Sequence, residues 1–87
     1  MIIKKGFMLR KVAGNNIVVA VGEASKNFNG IITLNDTGAF LFDKLKKDIS
    51  KEDLLKALLK EYDIDEETAK KDIDLFIEKL EANKILK

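Results

Sequence analysis

The chain predicts an α+β fold in which a small three-stranded antiparallel sheet comes first and three helices follow. Three observations carry that expectation. Two extended apolar runs flank Gly14-Asn15-Asn16, residues that accept the positive φ of a tight hairpin turn. A third, short run, Gly30-Ile31-Ile32-Thr33-Leu34, ends at a polar hinge. From Asn35 onward the apolar residues recur at helical spacing. With 87 residues and no low-complexity linker, the expectation is one domain over 1–87 with a real but thin core.

The first strand is expected over about 7–13 and the second over about 17–22. Ile17-Val18-Val19-Ala20-Val21 is apolar at every position. That suits a central strand with neighbours on both faces, or one covered by another chain. Gly22 to Gly30 reads as a loop of small and polar residues, and the third strand as 30–34.

The first helix is expected over about 36–47. Asn35 can take an orphan backbone N–H as N-cap, Asp36 suits the positive end of the dipole, and Leu41, Phe42 and Leu45 form the inward face. Gly38 in that first turn costs about 0.5–1 kcal/mol relative to alanine, a cost best understood where backbone must approach closely. Ser50 opens the second helix (51–61) in near capping-box style, with Asp53 in place of Glu; Leu54, Leu55, Leu58, Leu59 and Tyr62 follow. Asp65 caps the third helix (66–82), whose stripe is Ala69, Ile73, Phe76, Ile77 and Leu80. Asn83 stops it, and Ile85-Leu86 folds back onto the core.

Composition removes several classes of function. No cysteine or histidine is present, so thiol nucleophiles, thiolate zinc sites and the usual base are excluded. Asp43, Asp72 and Asp74 each occupy a helical surface position with a lysine nearby, and nothing supplies a nucleophile with a matching base. The expectation is a non-enzyme without metal or cofactor. Sixteen basic and fifteen acidic side chains give a net +1, which argues against nucleic acid as a partner. The start is too short and too soon charged for a signal peptide, and no apolar run approaches the ~20 residues of a membrane helix, which points to the cytoplasm.

Three features remain. Leu75 lies off the apolar stripe of the third helix, among Lys71, Lys79 and Ala82: either a single exposed leucine or a second apolar contact. The lysines of the second and third helices, with the short turn between them, outline a helix-turn-helix, and a DNA-binding regulator is the alternative reading. Glu66 and Glu67, however, make the leading end of its recognition helix acidic, so the lysines read more simply as a solvated face with partners such as Lys70–Asp74. Finally, the third strand has at most one strand partner. Its open edge is either covered by the third helix or is a docking site for an extended peptide.

The hinge Leu34-Asn35-Asp36-Thr37-Gly38-Ala39-Phe40-Leu41-Phe42-Asp43-Lys44-Leu45 resembles that of the PqqD-like family, whose pattern is L-N-x-T-G/A, two apolar residues, an aromatic and x-x-L. Ile49-Ser50, the run Leu59 to Asp65 and the final F-I-E-K-L-E-A-N-K-I-L are similar to that family too, so the resemblance covers about Phe7 to Leu86. Phe42 departs from it, since many relatives carry tryptophan there. The resemblance implies a winged-helix-like peptide chaperone, a recognition element for ribosomally made, modified peptides. It would bind a precursor's leader by strand addition and present it to a radical-SAM maturation enzyme; a segment-exchanged homodimer is a further implication. Pyrroloquinoline quinone as the product is not implied. Carried onto this chain, the peptide-binding residues are Gly30, Ile31, Ile32, Thr33 and Leu34 on the strand. On the third helix they are Lys70, Lys71, Ile73, Asp74, Leu75 and Ile77, without a choice between its flanks.

Overall fold

The hairpin turns at Ala13-Gly14, where φ is +51° and +82°. Two successive positive-φ residues make the tight turn whose twist matches that of the paired strands. In the computed structural model, which describes residues 1–26, 28 and 30–87, this turn joins β1 (Phe7–Val12) to β2 (Asn15–Ala20). The hinge of the hairpin is thus Ala13-Gly14 rather than Gly14-Asn15-Asn16. Both asparagines pair in β2, opposite Val12 and Lys11, so the strand starts two residues earlier than the expected Ile17 and ends at Ala20. The stretch 22–30 is not all loop: Gly22–Lys26 forms a 3-10 helix, and Asn27 and Asn29 lie outside the described residues. β3 (Ile32–Leu34) is shorter than the expected 30–34.

The sheet order is β1-β2-β3, antiparallel throughout, with Ile17 opposite Thr33 and Val18 opposite Ile32. β2 is therefore central, as its apolar run suggests, and β3 is an edge. Cover on both faces does not follow. Val18 points into the core and is fully buried, whereas Met8 and Val12 stay exposed on β1. Both lie on the opposite face from Leu9, the residue paired with Val18.

Three helices complete the order: α1 (Asp36–Lys44), α2 (Lys51–Glu61) and α3 (Glu66–Ala82). Each begins on the side-chain cap its sequence announces. Asn35 Oδ1 accepts from the Gly38 N–H at 2.7 Å, Ser50 Oγ from Asp53 N–H at 3.0 Å, and Asp65 Oδ1 from Thr68 N–H at 2.7 Å. α1 stops at Lys44, three residues short of the expected end. Leu45 caps it with its N–H shared between the Leu41 and Phe42 carbonyls, and is itself buried.

The core gathers Val18, Ile32 and Leu34 from the sheet with Leu41, Phe42 and Leu45, Leu54 and Leu58, and the α3 stripe Ala69, Ile73, Phe76, Ile77 and Leu80. Burying each of the large ones contributes about 1.5–3 kcal/mol. Phe42 is buried at 1 % exposure. Ile85 is fully buried and Leu86 pairs with Ile3, so the tail does fold back. The first residues share in this, a role composition does not reveal: Ile3 N–H donates to the Leu45 carbonyl (2.9 Å) and Lys4 N–H to that of Ile85 (2.7 Å). The expected Lys70–Asp74 pair is replaced by two others: Lys70 reaches back to Glu66 at 3.7 Å, also an i,i+4 pair, and Asp74 pairs across the helices with Lys51. Among the described residues no helix is long and apolar enough to cross a membrane.

Candidate functional site

Among the described residues β3 pairs only with β2, so one side of its backbone has no strand partner. Lys79 identifies that side's groups. Its ammonium stands 3.5 Å from the Thr33 carbonyl oxygen, which therefore faces α3 and not β2. In a strand, the N–H and C=O of one residue point to the same side and those of its neighbours to the other. The outward row is thus Ile31 and Thr33, while Ile32 and Leu34 bond to β2. β1 is also an edge, but it carries Arg10 and Lys11, charges that blunt an exposed strand.

Between the β3 edge and α3 runs an open groove. Its upper part, about 330 Å³, is lined by Leu34, Asn35, Thr37, Gly38 and Leu41 on one side and by Asp72, Leu75, Phe76 and Lys79 on the other. A second hollow of about 310 Å³ continues it past Gly30, Ile31 and Ile32 to Ala82, Asn83 and Lys84. α3 therefore runs past β3 in the opposite direction. The floor is apolar, from Leu34, Leu41 and Phe76. Leu75, 59 % exposed, forms an apolar rim, and Asp72 and Lys79 put opposite charges two helical turns apart.

Each element has a local reason to stand where it does. Gly38 lets α1 begin directly against Leu34: a Cβ there would sit 3.1 Å from that of Leu34 and 3.2 Å from Asn35 Oδ1. Asn35 fixes the joint through its cap. Asn16 on β2 donates to Asp36 Oδ1 at 3.1 Å, tying the sheet to the same hinge.

The expected site residues divide into separate places. Gly30, Ile31 and Ile32 line the lower hollow, Thr33 forms the edge, and Leu34 and Leu75 meet across the upper groove. Lys70, Ile73 and Asp74 instead line a hollow against α2, with Lys51, Glu52 and Leu55. Ile77 faces Met1 and Lys4, and Lys71 is exposed away from the groove. Asp72, Phe76 and Lys79 join Leu75 on the groove flank, and the sequence reading did not select them. The signal was partial: the residues three or four positions from Leu75 are Lys71, Asp72, Glu78 and Lys79, of which Asp72 and Lys79 line the groove.

Among the described residues no cluster of three or more carboxylates is placed to hold a metal ion. What the site offers is main-chain donors and acceptors beside an apolar trough.

A three-stranded antiparallel sheet whose β3 edge lies beside a helix-walled trough, followed by three helices, defines the class as a small α+β domain. Residues 17–86 match the family described as coenzyme PQQ synthesis protein D (PqqD), and the chain belongs to that family. Its fold is similar to that of a solved structure described as TbiB1 in complex with the TbiA(beta) leader peptide, with TM-score 0.75 and 17 % identity over 100 % of this chain and 95 % of that one. At that identity the likeness is one of fold. A comparison with curated proteins gives no match.

Proposed function

We propose that this chain is a non-catalytic peptide-recognition protein that takes up the leader of a ribosomally made precursor as an added strand on β3. The observation that carries this is the outward row of Ile31 and Thr33 facing a trough walled by α3. Main-chain bonds along that row give affinity, and the trough sorts side chains. The chain's membership of the PqqD family and its fold likeness to a protein solved with a leader peptide support the reading. The binding residues are then Gly30, Ile31, Ile32, Thr33 and Leu34 with Asp72, Leu75, Phe76 and Lys79. Lys70, Lys71, Ile73, Asp74 and Ile77 stay outside the contact.

Delivery to a radical-SAM maturation enzyme, and a segment-exchanged homodimer as an assembled form, follow from the family resemblance. Light scattering with and without peptide tests the second. The acidic first turn of α3, Glu66 and Glu67 after Asp65, stands against a DNA-reading helix, because it would meet phosphate with like charge.

The test is Thr33→Pro with a synthetic leader peptide that the wild-type chain binds. The Thr33 N–H points outward, so proline removes a docking donor and leaves the β2 pairing intact. Strand addition with one or two buried apolar anchors corresponds to micromolar affinity, about −8 kcal/mol. The expected result by calorimetry is loss of binding by a variant that still melts cooperatively; an unchanged titration overturns strand addition at β3.

A further inference from the structure

The position of Lys79 carries a statement about which peptides the groove accepts, one that rests on the strand-addition reading above. Among the described residues the ion-paired lysines are Lys26, Lys46, Lys51, Lys56 and Lys70; Lys79 has no carboxylate partner. Its ammonium instead lies 3.5 Å from the Thr33 carbonyl, the acceptor a docked strand needs. An exposed edge strand is a hazard that lysines commonly blunt, and Lys79 does so from the opposite wall. A peptide strand that bonds to Thr33 must share this carbonyl with the ammonium or displace it.

We infer that Lys79 is a displaceable guard of the β3 edge, and that it selects for peptides bringing a carboxylate to receive it. A neutral or basic strand would push the ammonium aside without giving it a partner in a partly enclosed trough. An acidic one converts a weak contact to a carbonyl into a charge-assisted pair.

Strand geometry places that carboxylate. The peptide residue opposite Thr33 exchanges both backbone bonds with it, and its side chain shares the outer face with that of Thr33. Its two neighbours turn inward, toward α3. One of these meets Lys79. The other, two residues away along the peptide, enters the apolar part of the trough at Leu34, Leu41, Leu75 and Phe76. The helix spacing agrees. Lys79 is three to four residues from Leu75 and Phe76, about 5–6 Å along the axis, against about 6.6 Å for two strand residues. With the peptide antiparallel to β3, as every pair in this sheet is, the apolar residue comes first. The substrate class is an extended peptide carrying a large apolar residue, any residue, then Asp or Glu. Asp72, at the apolar end, repels an acid placed in the reverse order.

A phage-displayed library of random twelve-residue peptides, selected separately on the wild-type chain and on Lys79→Glu, tests this. The wild-type pool is expected to enrich Asp or Glu two positions after a large apolar residue, and the Lys79→Glu pool to replace it with Lys or Arg. Each selected peptide should lose about fivefold in affinity, the upper range for one exposed pair, when moved to the other host. Lys79→Gln, which removes the charge alone, should bind both pools with intermediate affinity. If wild-type-selected peptides bind all three hosts alike yet lose binding to Thr33→Pro, charge selection by Lys79 is wrong and the groove reading stands. If they bind Thr33→Pro as tightly as wild type, or no peptide is selected, strand addition itself fails and this inference with it.

Discussion

Gly38 lies directly against Leu34, so close that a methyl group on Gly38 would stand 3.1 Å from the Leu34 Cβ. The contact explains why a helix tolerates glycine in its first turn, and it yields a graded prediction. Gly38→Ala gains up to about 1 kcal/mol in helix preference and loses part of it moving Leu34 by a few tenths of an ångström. Its net effect on the urea midpoint should be small. Gly38→Val has no such room and should cost about 1–3 kcal/mol. Because Leu34 is the groove floor, Gly38→Val should also weaken leader binding beyond what Gly38→Ala does. Equal affinities for the two would disconnect the hinge from the groove.

Leu75 is 59 % exposed, so its removal should leave stability within about 0.5 kcal/mol of wild type. Binding should respond differently. Leu75→Ala removes apolar area that a docked peptide covers, at about 1 kcal/mol, roughly fivefold in Kd. Leu75→Asp adds a charge beside Asp72 and should cost at least about tenfold. A Leu75→Asp variant that binds leader as wild type does would exclude this flank of α3 from the contact.

Much of this was legible in the sequence because it is written in local chemistry. Asn35, Ser50 and Asp65 sit where a side-chain oxygen must meet an orphan N–H, and each does so. α2 and α3 begin and end as their apolar stripes require. The hairpin was less legible. Gly14-Asn15-Asn16 offers residues that accept positive φ, whereas the turn taken puts Ala13 at +51°, which alanine rarely adopts, and only pairing with β1 decides which residues the strand keeps. The groove flank was least legible, since the 3.6-residue period separates core from non-core but treats all non-core residues alike. Only the approach of β3 distinguishes Asp72 and Lys79 from Lys70 and Asp74. The part played by Ile3 was unreadable for a similar reason: its partner Leu86 lies at the opposite end of the sequence.

The two flanks of α3 can be told apart by charge. Lys70 and Asp74 lie against α2, Asp74 paired with Lys51 and Lys70 with Glu66, all four side chains more than half exposed. Exposed pairs contribute about 0–1 kcal/mol each. The double variant Lys70→Ala, Asp74→Ala should therefore lose at most about 2 kcal/mol of stability and bind leader peptide with unchanged Kd. Loss of binding in a variant whose thermal melt remains cooperative would move the contact to the α2 side of the helix.

Acid should loosen the α3 end of the groove wall first at its cap. The Asp65 carboxyl is held below its ordinary value first by a hydrogen bond with the Thr68 side chain and then by the Thr68 backbone N–H, which donates to Asp65 Oδ1 at 2.7 Å. A depressed folded-state pKa means the cap's contribution is fully present above the unfolded value, about 3.9, and is lost as pH falls through the lower folded value. Asparagine caps a helix about as well as aspartate and does not titrate. Asp65→Asn should therefore match wild type closely in urea midpoint near neutral pH, apart from the lost attraction to the helix dipole. Below about pH 4 the gap should close or reverse, as wild type loses its acceptor and the variant keeps one. A wild-type midpoint that falls with acid no faster than that of Asp65→Asn would mean the carboxylate adds nothing beyond its geometry.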